Sequence, residues 1–220
     1  MTHPPDHDAP VVETFELGPF QTNCYLVRPD PDATACWIVD CGFEPDALLR
    51  AVEDRDLQAE ACVLTHAHCD HIAGLHELRR RLGPVPIWIH HAERAWLEDP
   101  MLNLSAAMGL RVTAPPPDHV LEHDGPLRVC GQDWRVLHTP GHSPGGITIV
   151  HDASRTALVG DTLFNGSIGR HDFPNSDFST LEHSIKTKLY TLPDETRVYP
   201  GHGPATTIGH EKATNPFVRA

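Results

Sequence analysis

The sequence predicts a four-layer α/β fold, in which two β-sheets pack against each other and helices cover their outer faces. Short runs rich in β-branched and aromatic residues predict strands, and runs with apolar residues at helical spacing predict helices. Strands followed by a helix occur twice along the chain, as expected for two sheets with helices outside them. The 220 residues allow one domain with a full core. We expect that domain at 11–220, after a disordered polar lead-in at 1–10.

The first half of the chain supplies three strands and then alternating helices and strands. The opening strands are VVETFEL, NCYLVR and ACWIVD. EPDALLRAVEDR carries Leu48, Leu49 and Val52 at helical spacing and predicts a surface helix. The strand QAEACVLT follows, and after it the amphipathic helix IAGLHELRRRLG, which Gly83 closes. PIWIH predicts another strand and HAERAWLED another helix.

The second half is predicted to be rich in strands. MLNLSAAMGL is compatible with a helix, whereas TAPPPDH must be a loop, because its prolines exclude both a helix and a central strand. PLRVCG and DWRVLHT predict a hairpin, and GITIVHD and RTALVGD two further strands. FSTLEHSIKTKLYTL predicts a helix capped by Asp177 or Ser179. TRVYP is the last predicted strand, and a short tail finishes the chain.

Composition and charge argue against several classes of partner. The net charge of −13 disfavours nucleic acid, because phosphate binding needs a basic face. No apolar run approaches the ~20 residues of a membrane span, and the N-terminus lacks the features of a secretory signal. The cysteines show no C-x-x-C spacing, so we expect reduced core residues in a cytoplasmic protein. A Cys36–Cys41 disulfide is the alternative.

Potential metal ligands follow four predicted strands at the point where each strand ends. The motif THAHCDH begins where the strand QAEACVLT ends, and PGHSPGG follows the strand DWRVLHT. An aspartate stands at the end of RTALVGD, and GHG follows the strand TRVYP. Loops at a sheet edge are where a rigid scaffold presents functional groups, and the neighbouring glycines let the backbone turn sharply. The candidate ligands are His66, His68, Asp70, His71, His142, Asp161 and His202.

This set of donors suits two divalent cations. Neutral imidazole and carboxylate are usual ligands of Zn²⁺, Mn²⁺ and Fe²⁺. The H-x-H spacing places His66 and His68 on one side of an extended segment, whereas Asp70 and His71 face a second point. Asp161 offers two oxygens and is expected to lie between the ions. We expect zinc, with iron or manganese as alternatives.

Each motif taken alone has a simpler interpretation. THAHCDH is compatible with a polar loop, PGHSPGG with a tight turn, and an isolated aspartate with a turn or a cap. Cys69, between the ligands, is interpreted as a packing residue, with redox sensitivity as the alternative. Most histidines outside the set are expected at the surface or on helix faces, among them His76, His90, His91 and His151.

The combination of THAHCDH, TPGHSPGG, GDTLF and PGHG resembles the metallo-β-lactamase-fold hydrolases. GDTLF followed by GSIGRHDFP, and the closing NPFVR, resemble most the short glyoxalase II-like (hydroxyacylglutathione hydrolase-like) group. The resemblance implies an αββα sandwich with a dinuclear metal site at one end of the sheets. It implies that Asp40 supports the site from outside the ligand set. It assigns His66, His68 and His142 to the first ion, Asp70, His71 and His202 to the second, and Asp161 to both.

The resemblance further implies a metal-dependent hydrolase that cleaves a small-molecule thioester, of the S-lactoylglutathione type, or a related ester. The hydrolytic nucleophile would be a hydroxide activated by the ions and oriented by Asp70. Arg170 is the candidate for binding a substrate carboxylate; an ion pair with Asp172 or Asp177 is its alternative. Persulfide dioxygenases, which share the motif but use one iron, and lactonases are alternative functions. The sequence leaves the oligomeric state open.

Overall fold

Six strands form the first sheet, and their order in the sheet follows their order in the chain. The computed structural model describes residues 9–122 and 124–219, so residues 1–8 of the predicted lead-in lie outside the described residues. The strands are β1 (Val11–Leu17), β2 (Thr22–Arg28), β3 (Ala35–Val39), β4 (Gln58–Val63), β5 (Ile87–His90) and β6 (His119–Leu121). They run antiparallel from β1 to β3 and parallel from β3 to β6.

The remaining strands form a second sheet of six and a separate short hairpin. In chain order they are β7 (Gly125–Val129), β8 (Gln132–His138), β9 (Ile147–His151), β10 (Thr156–Gly160), β11 (Leu163–Phe164), β12 (Ser167–Ile168), β13 (Arg197–Pro200) and β14 (Thr206–Thr207). The sheet has the order β14-β13-β10-β9-β8-β7, and β11 pairs with β12. Because β10 and β13 are parallel neighbours, the residues that follow both strands emerge at the same edge.

Helices lie beside both sheets. α1 (Asp46–Glu53), α2 (Cys69–Ile72) and α3 (Leu75–Leu82) belong to the first half of the chain, and α4 (Phe178–Ser184) and α5 (Ile208–Thr214) to the second. Gly83 ends α3 with a φ of +84°, as predicted. Asp177 is the cap of α4, because its Oδ1 accepts a hydrogen bond of 2.7 Å from the backbone N–H of Thr180.

Alternating side chains of the strands build separate cores on the two faces of each sheet. Along β3, Ile38 packs with the helices of the first half, whereas Trp37 and Val39 pack towards the second sheet. Trp37 meets Trp134 of β8 edge to face, with ring centroids 5.1 Å apart. Leu181 of α4 packs in a third core on the far side of the second sheet. One core therefore lies between the helices of the first half and the first sheet, one between the two sheets, and one between the second sheet and α4. This layering confirms the predicted four-layer αββα sandwich.

Several short elements differ from the prediction. HAERAWLED forms a 3₁₀-helix (His91–Leu97), and MLNLSAAMGL contains only a 3₁₀ turn (Ala106–Met108). Here the side chain of Asn103 donates to the carbonyls of Trp96 and Val112, so it supplies bonds that a regular helix would make with its backbone. The segment predicted to be a tail contains α5. The strands β6 and β14 were not predicted, because strands of two or three residues leave no alternating pattern in the sequence.

The cysteines are buried free thiols, as predicted, and the alternative Cys36–Cys41 disulfide is wrong. Cys36 lies in β3 and Cys41 beyond its end, so the extended backbone keeps them apart. The prediction of a surface position holds for His76 and His91. It is wrong for His90 and His151, which are 0% and 6% exposed.

His90 shows how its burial is accommodated. It stacks on His138 with ring centroids 4.1 Å apart, and its Nε2 lies 3.0 Å from the carbonyl oxygen of Glu122. Packing and a hydrogen bond thus compensate the buried ring. Within 9–122 and 124–219, the helices are all too short or too polar to cross a bilayer.

Candidate metal centre

Strand ends of both sheets deliver all the predicted ligands to one edge of the sandwich. Thr22, at the start of β2, forms an isolated bridge with His202, which joins the two sheets at this edge. After β4 the chain continues into α2, whose single turn carries Asp70 and His71. The segments that follow β4, β8, β10 and β13 contribute the seven candidate ligands, His66, His68, Asp70, His71, His142, Asp161 and His202.

Three overlapping groups of these side chains each place their ligand atoms within 4.8 Å of one another. The groups are His66 with His68 and His142, His66 with His71 and Asp161, and Asp70 with His71 and His202. The first and third groups are the two ligand sets that the resemblance implied. The second group connects them through His66, which the resemblance assigned to the first set alone.

Asp161 lies between the two sets. Its Oδ1 is 3.4 Å from Nε2 of His71, and its Oδ2 is 3.5 Å from Nε2 of His142 and 3.5 Å from Nε2 of His202. Asp70 faces the second set only, with Oδ2 3.2 Å from Nε2 of His202. Asp161 therefore has the geometry of a ligand shared by two ions.

Hydrogen bonds outside the cluster determine which nitrogen each histidine turns inward. Nδ1 of His71 lies 2.8 Å from Oδ2 of Asp40, and Nδ1 of His142 lies 2.8 Å from the carbonyl oxygen of Arg170. Nδ1 of His202 lies 3.1 Å from the carbonyl oxygen of Phe20. Carboxylate and carbonyl oxygens only accept, so Nδ1 carries the proton in all three rings and Nε2 is the atom that can bind a metal.

His66 is oriented through Thr65. The Thr65 hydroxyl donates to Oδ2 of Asp40 at 2.7 Å, so its oxygen accepts the Nδ1–H of His66 at 3.1 Å. His68 is the exception, because its Nδ1 faces the cluster, 2.9 Å from Nε2 of His142. Asp40, which has a left-handed φ of +59°, thus controls both His66 and His71. This geometry agrees with the supporting role that the resemblance implied for Asp40.

The donor atoms fit metal ions rather than an internal hydrogen-bond network. Nε2 of His66, Nε2 of His71 and Oδ1 of Asp161 are buried and form no hydrogen bond with any described residue. Buried polar atoms without partners are rare in folded proteins. A divalent cation between these atoms would satisfy them together.

Gly201 shows why a glycine precedes His202. A Cβ on Gly201 would lie 2.0 Å from Oδ1 of Asp161 and 2.9 Å from Cε1 of His71. No side chain fits there. The backbone of the β13 loop therefore packs directly against the ligand cluster, as the glycines of GHG suggested.

Comparison with known proteins agrees with this fold and cluster. The sequence pattern of the metallo-β-lactamase superfamily matches residues 17–202. This chain belongs to the metallo-β-lactamase superfamily. Hydroxyacylglutathione hydrolase GloC of Haemophilus influenzae is 37% identical over 211 residues, which cover 95% of this chain and 98% of that protein.

Two crystal structures show the same superfamily fold. The B3 metallo-β-lactamase BLEG-1 is 39% identical, with a TM-score of 0.91 over 96% of this chain and 100% of that one. TTHA1623, solved in a di-iron-bound form, is 38% identical, with a TM-score of 0.81 over 94% of this chain and 100% of that one. The superfamily comprises metal-dependent hydrolases with dinuclear sites, and the His/Asp cluster is the corresponding candidate site here.

Electrostatics divide the superfamily site of this chain into a neutral and a charged half. Burial lowers the pKa of His68 to about 3 and also lowers the pKa values of His66 and His142. Burial also acts on His202, but hydrogen bonds to Asp161 and Asp70 outweigh it and raise its pKa to about 10. In the first half, imidazole lone pairs are therefore available without deprotonation, whereas an ion entering the second half displaces protons.

Two residues singled out in the sequence lie beside the cluster. The guanidinium of Arg170 is on the surface and pairs with Asp172, with Nε 2.9 Å from Oδ1 and Nη2 2.8 Å from Oδ2. This ion pair with Asp172 is the alternative to substrate binding that the sequence left open for Arg170. Cys69 is 1% exposed, and burial raises its pKa to about 12, which disfavours the thiolate and agrees with the predicted packing role.

Sequence reasoning missed the residues of β2 that support the site. Thr22 donates from its hydroxyl to Oδ2 of Asp70 at 3.0 Å. Asn23 donates to the carbonyls of Pro200 and Gly203 at 3.0 and 2.8 Å, and so holds the loop of His202 in place. The segment TNCYLV carries no local signal for these roles, because the partners lie in distant parts of the chain.

Proposed function

We propose that this protein hydrolyses a small-molecule thioester, of the hydroxyacylglutathione type, or a related ester, with two divalent metal ions as cofactors. The observation that carries the proposal is the buried cluster of seven donors, in which outside hydrogen bonds fix the inward-facing nitrogen of four histidines. A closed structural site would need only four ligands. Seven donors shared by two ions leave coordination positions for water and substrate.

The residues divide between the ions as the geometry suggests. His66, His68 and His142 would hold the first ion, Asp70, His71 and His202 would hold the second, and Asp161 is the ligand that both could share. When bound, the ions lower the pKa of water to about 7 and polarise the substrate carbonyl, with zinc as the expected metal and iron or manganese as alternatives.

Asp70 is the proposed catalytic residue. Its Oδ2 already accepts from the Thr22 hydroxyl and faces His202, so the carboxylate is held in one orientation. A carboxylate fixed in this way can accept a hydrogen bond from the attacking water or hydroxide and aim its lone pair at the carbonyl carbon. Burial raises the pKa of Asp70, but His71 and His202 outweigh it and lower that pKa to about 2, which keeps the group ionised.

Aromatic side chains form apolar walls on two sides of the cluster. The Phe173 ring lies 5.6 Å from the His68 ring and 6.0 Å from the His142 ring, and the Phe164 ring lies 6.1 Å from the His202 ring. Such walls suit the apolar part of an acyl or thiol group. Arg170, over the Phe173 ring at 4.0 Å, is placed to exchange Asp172 for a substrate carboxylate.

The identity to the hydroxyacylglutathione hydrolase GloC supports a thioester substrate. The buried free thiols suit the reducing cytoplasm, which we propose as the location. The negative net charge supports a small-molecule substrate rather than a nucleic acid, and we propose no membrane partner.

Metal analysis of the purified protein, together with a thioester panel, tests the proposal. We expect about two ions per chain and thiol release from S-lactoylglutathione or another acyl thioester. Asp70→Asn should reduce kcat by at least about 100-fold, whereas Asp133→Asn, in an exposed pair with Arg128, should not. A single iron per chain, with oxygen consumption on glutathione persulfide and no thiol release, would instead establish the dioxygenase alternative.

β-Lactam hydrolysis is the second candidate, because the BLEG-1 structure superimposes on nearly the whole chain. Hydrolysis of lactones and of β-lactams requires the same activated water, and the enzymes that carry out these reactions differ only in the pocket around the site. Including a cephalosporin and a lactone in the panel ranks the candidates by kcat/KM. The proposal of a thioester fails if the β-lactam or the lactone has the highest value.

A further inference from the structure

Glu93 is a completely buried carboxylate outside the ligand set. It lies in the 3₁₀-helix that follows β5, and its side chain is 0% exposed. Burying a carboxylate is costly unless hydrogen bonds compensate for the lost water. Glu93 accepts two from backbone N–H groups, with Oε2 2.5 Å from N of Ala67 and Oε1 2.7 Å from N of Gly145.

These two N–H groups belong to the two loops that carry the first set of ligands. Ala67 stands between His66 and His68, and Gly145 lies in the loop that carries His142. Each carboxylate oxygen of Glu93 therefore holds one loop. The loops bring Nδ1 of His68 to 2.9 Å from Nε2 of His142.

The loop after β8 is shaped to admit the carboxylate. A Cβ on Gly145 would lie 2.8 Å from Cγ and 3.0 Å from Cδ of Glu93, so a side chain at this position would push Glu93 away. The glycine of the PGHSPGG motif thus has a role beyond turning the chain. The backbone N–H of Ile147 donates to the carbonyl of Thr65 at 2.9 Å, which gives the two loops a second connection that does not involve Glu93.

We propose that Glu93 is a positioning residue that sets the spacing between His66 and His68 on one loop and His142 on the other, and thereby the affinity of the first metal ion. The inference rests on the proposed two-ion site. It assigns no contact between Glu93 and substrate. The ligands of the second ion are held by Asp40, Thr22 and Asn23, so that ion should be independent of Glu93.

Glu93→Gln is the sharpest variant. The amide has the same size, but only one of its two polar atoms can accept, so one backbone N–H loses its partner while no cavity forms. Glu211→Gln is the matched control. Glu211 is also 0% exposed and accepts from the backbone N–H of Gly166, but it connects α5 to the β11–β12 hairpin and contacts neither loop of the first set.

The test measures zinc binding by competition with a chromophoric chelator for the wild type and both variants. We expect two ions per wild-type chain, and in Glu93→Gln one of them weakened about 10- to 100-fold. Glu211→Gln should retain both affinities. In a His142→Ala background, which removes the first site, Glu93→Gln should have no further effect, whereas in a His202→Ala background it should still weaken the remaining ion.

The outcomes separate the two proposals. A wild type that binds no ion contradicts the proposed function itself. Two ions bound with wild-type affinity by Glu93→Gln overturn the role of Glu93 alone. Glu93→Asp, which keeps the charge but shortens the reach, is measured in parallel. If both Glu93 variants fail to fold while Glu211→Gln folds, Glu93 serves stability and the inference is equally overturned.

Discussion

Nδ1 of His71 lies 2.8 Å from Oδ2 of Asp40, and both side chains are buried. The same carboxylate accepts the backbone N–H and the hydroxyl of Thr65, so three donors converge on Asp40. Thr65 in turn orients His66. One aspartate that ligates nothing itself therefore fixes one histidine in each half of the metal centre.

Replacing Asp40 by asparagine should weaken metal binding about 10- to 100-fold. The amide has one accepting oxygen for three converging donors, so His71 or Thr65 loses its partner and the ring is free to turn. Chelator competition measures the affinity. Asp46→Asn, at an exposed carboxylate paired with Arg81, is the control and should bind metal normally. Equal affinities in the two variants would contradict the role of Asp40.

Removing the ions with a chelator should make the protein sensitive to acid. The folded chain keeps His68 neutral down to its pKa of about 3, because burial opposes the charged form, whereas an unfolded histidine binds a proton near pH ~6.5. Between these values the unfolded state binds more protons, so the free energy of unfolding falls as the pH drops from about 6.5 towards 3. Urea unfolding midpoints of the chelated protein measure this slope, and His68→Gln should make it shallower.

The same chelated protein should also lose stability in alkali. The pKa of His202 reflects burial, which lowers it, and the stronger effect of Asp161 and Asp70, which raise it to about 10. Its contribution is complete below about pH 6.5 and is lost as the pH rises through about 10. The midpoint should therefore be highest near pH 6.5 and fall on both sides. His202→Gln should make the alkaline fall shallower without abolishing it, because the pKa of His71 is also raised. Burial lowers that pKa, but Asp70, Asp161 and Asp40 outweigh burial. A chelated wild type whose stability rises steadily to pH ~10 would refute this account.

The clustering of the seven candidate ligands was predictable because their signal is local. Four of them lie within His66–His71, and the others sit in short Gly-rich turns directly after recognisable strands. The strands themselves were recognisable because apolar residues fill cores on both sides, as Trp37 and Ile38 do. Burial of alternate residues leaves a periodic trace in the sequence.

The supports of the site were not predictable because they depend on distant pairs. Asn23 bonds to Pro200, 177 residues away, and Thr22 bonds to Asp70, 48 residues away. Neither segment contains a local sequence pattern that indicates its partner. The burial of His90 was missed for the same reason, since its stacking on His138 follows from sheet packing rather than from neighbouring residues.

Arg170→Ala tests whether this arginine binds substrate or only Asp172. The pair is on the surface, so its loss should leave the melting temperature nearly unchanged. If the guanidinium binds a substrate carboxylate, KM for a carboxylate-bearing thioester should rise about tenfold with kcat little affected. Arg128→Ala, which breaks the exposed pair with Asp133, is the control. An identical KM in both variants would leave Arg170 as a surface ion pair.

The two glycines that flank His202 provide a test of how tightly the loop after β13 packs on the ligands. In Gly201→Ala the new Cβ would lie 2.0 Å from Oδ1 of Asp161, so the loop must move and take His202 with it. In Gly203→Ala the Cβ meets nothing within 4 Å, and the cost is the left-handed φ of +73°, roughly 1–2 kcal/mol. We expect Gly201→Ala to lose at least one bound metal and about 100-fold in kcat/KM, while Gly203→Ala keeps both ions and loses only some thermal stability. Metal content and unfolding curves of the two proteins decide the matter, because equal metal loss in both would mean that loop strain, rather than contact with Asp161, controls the site.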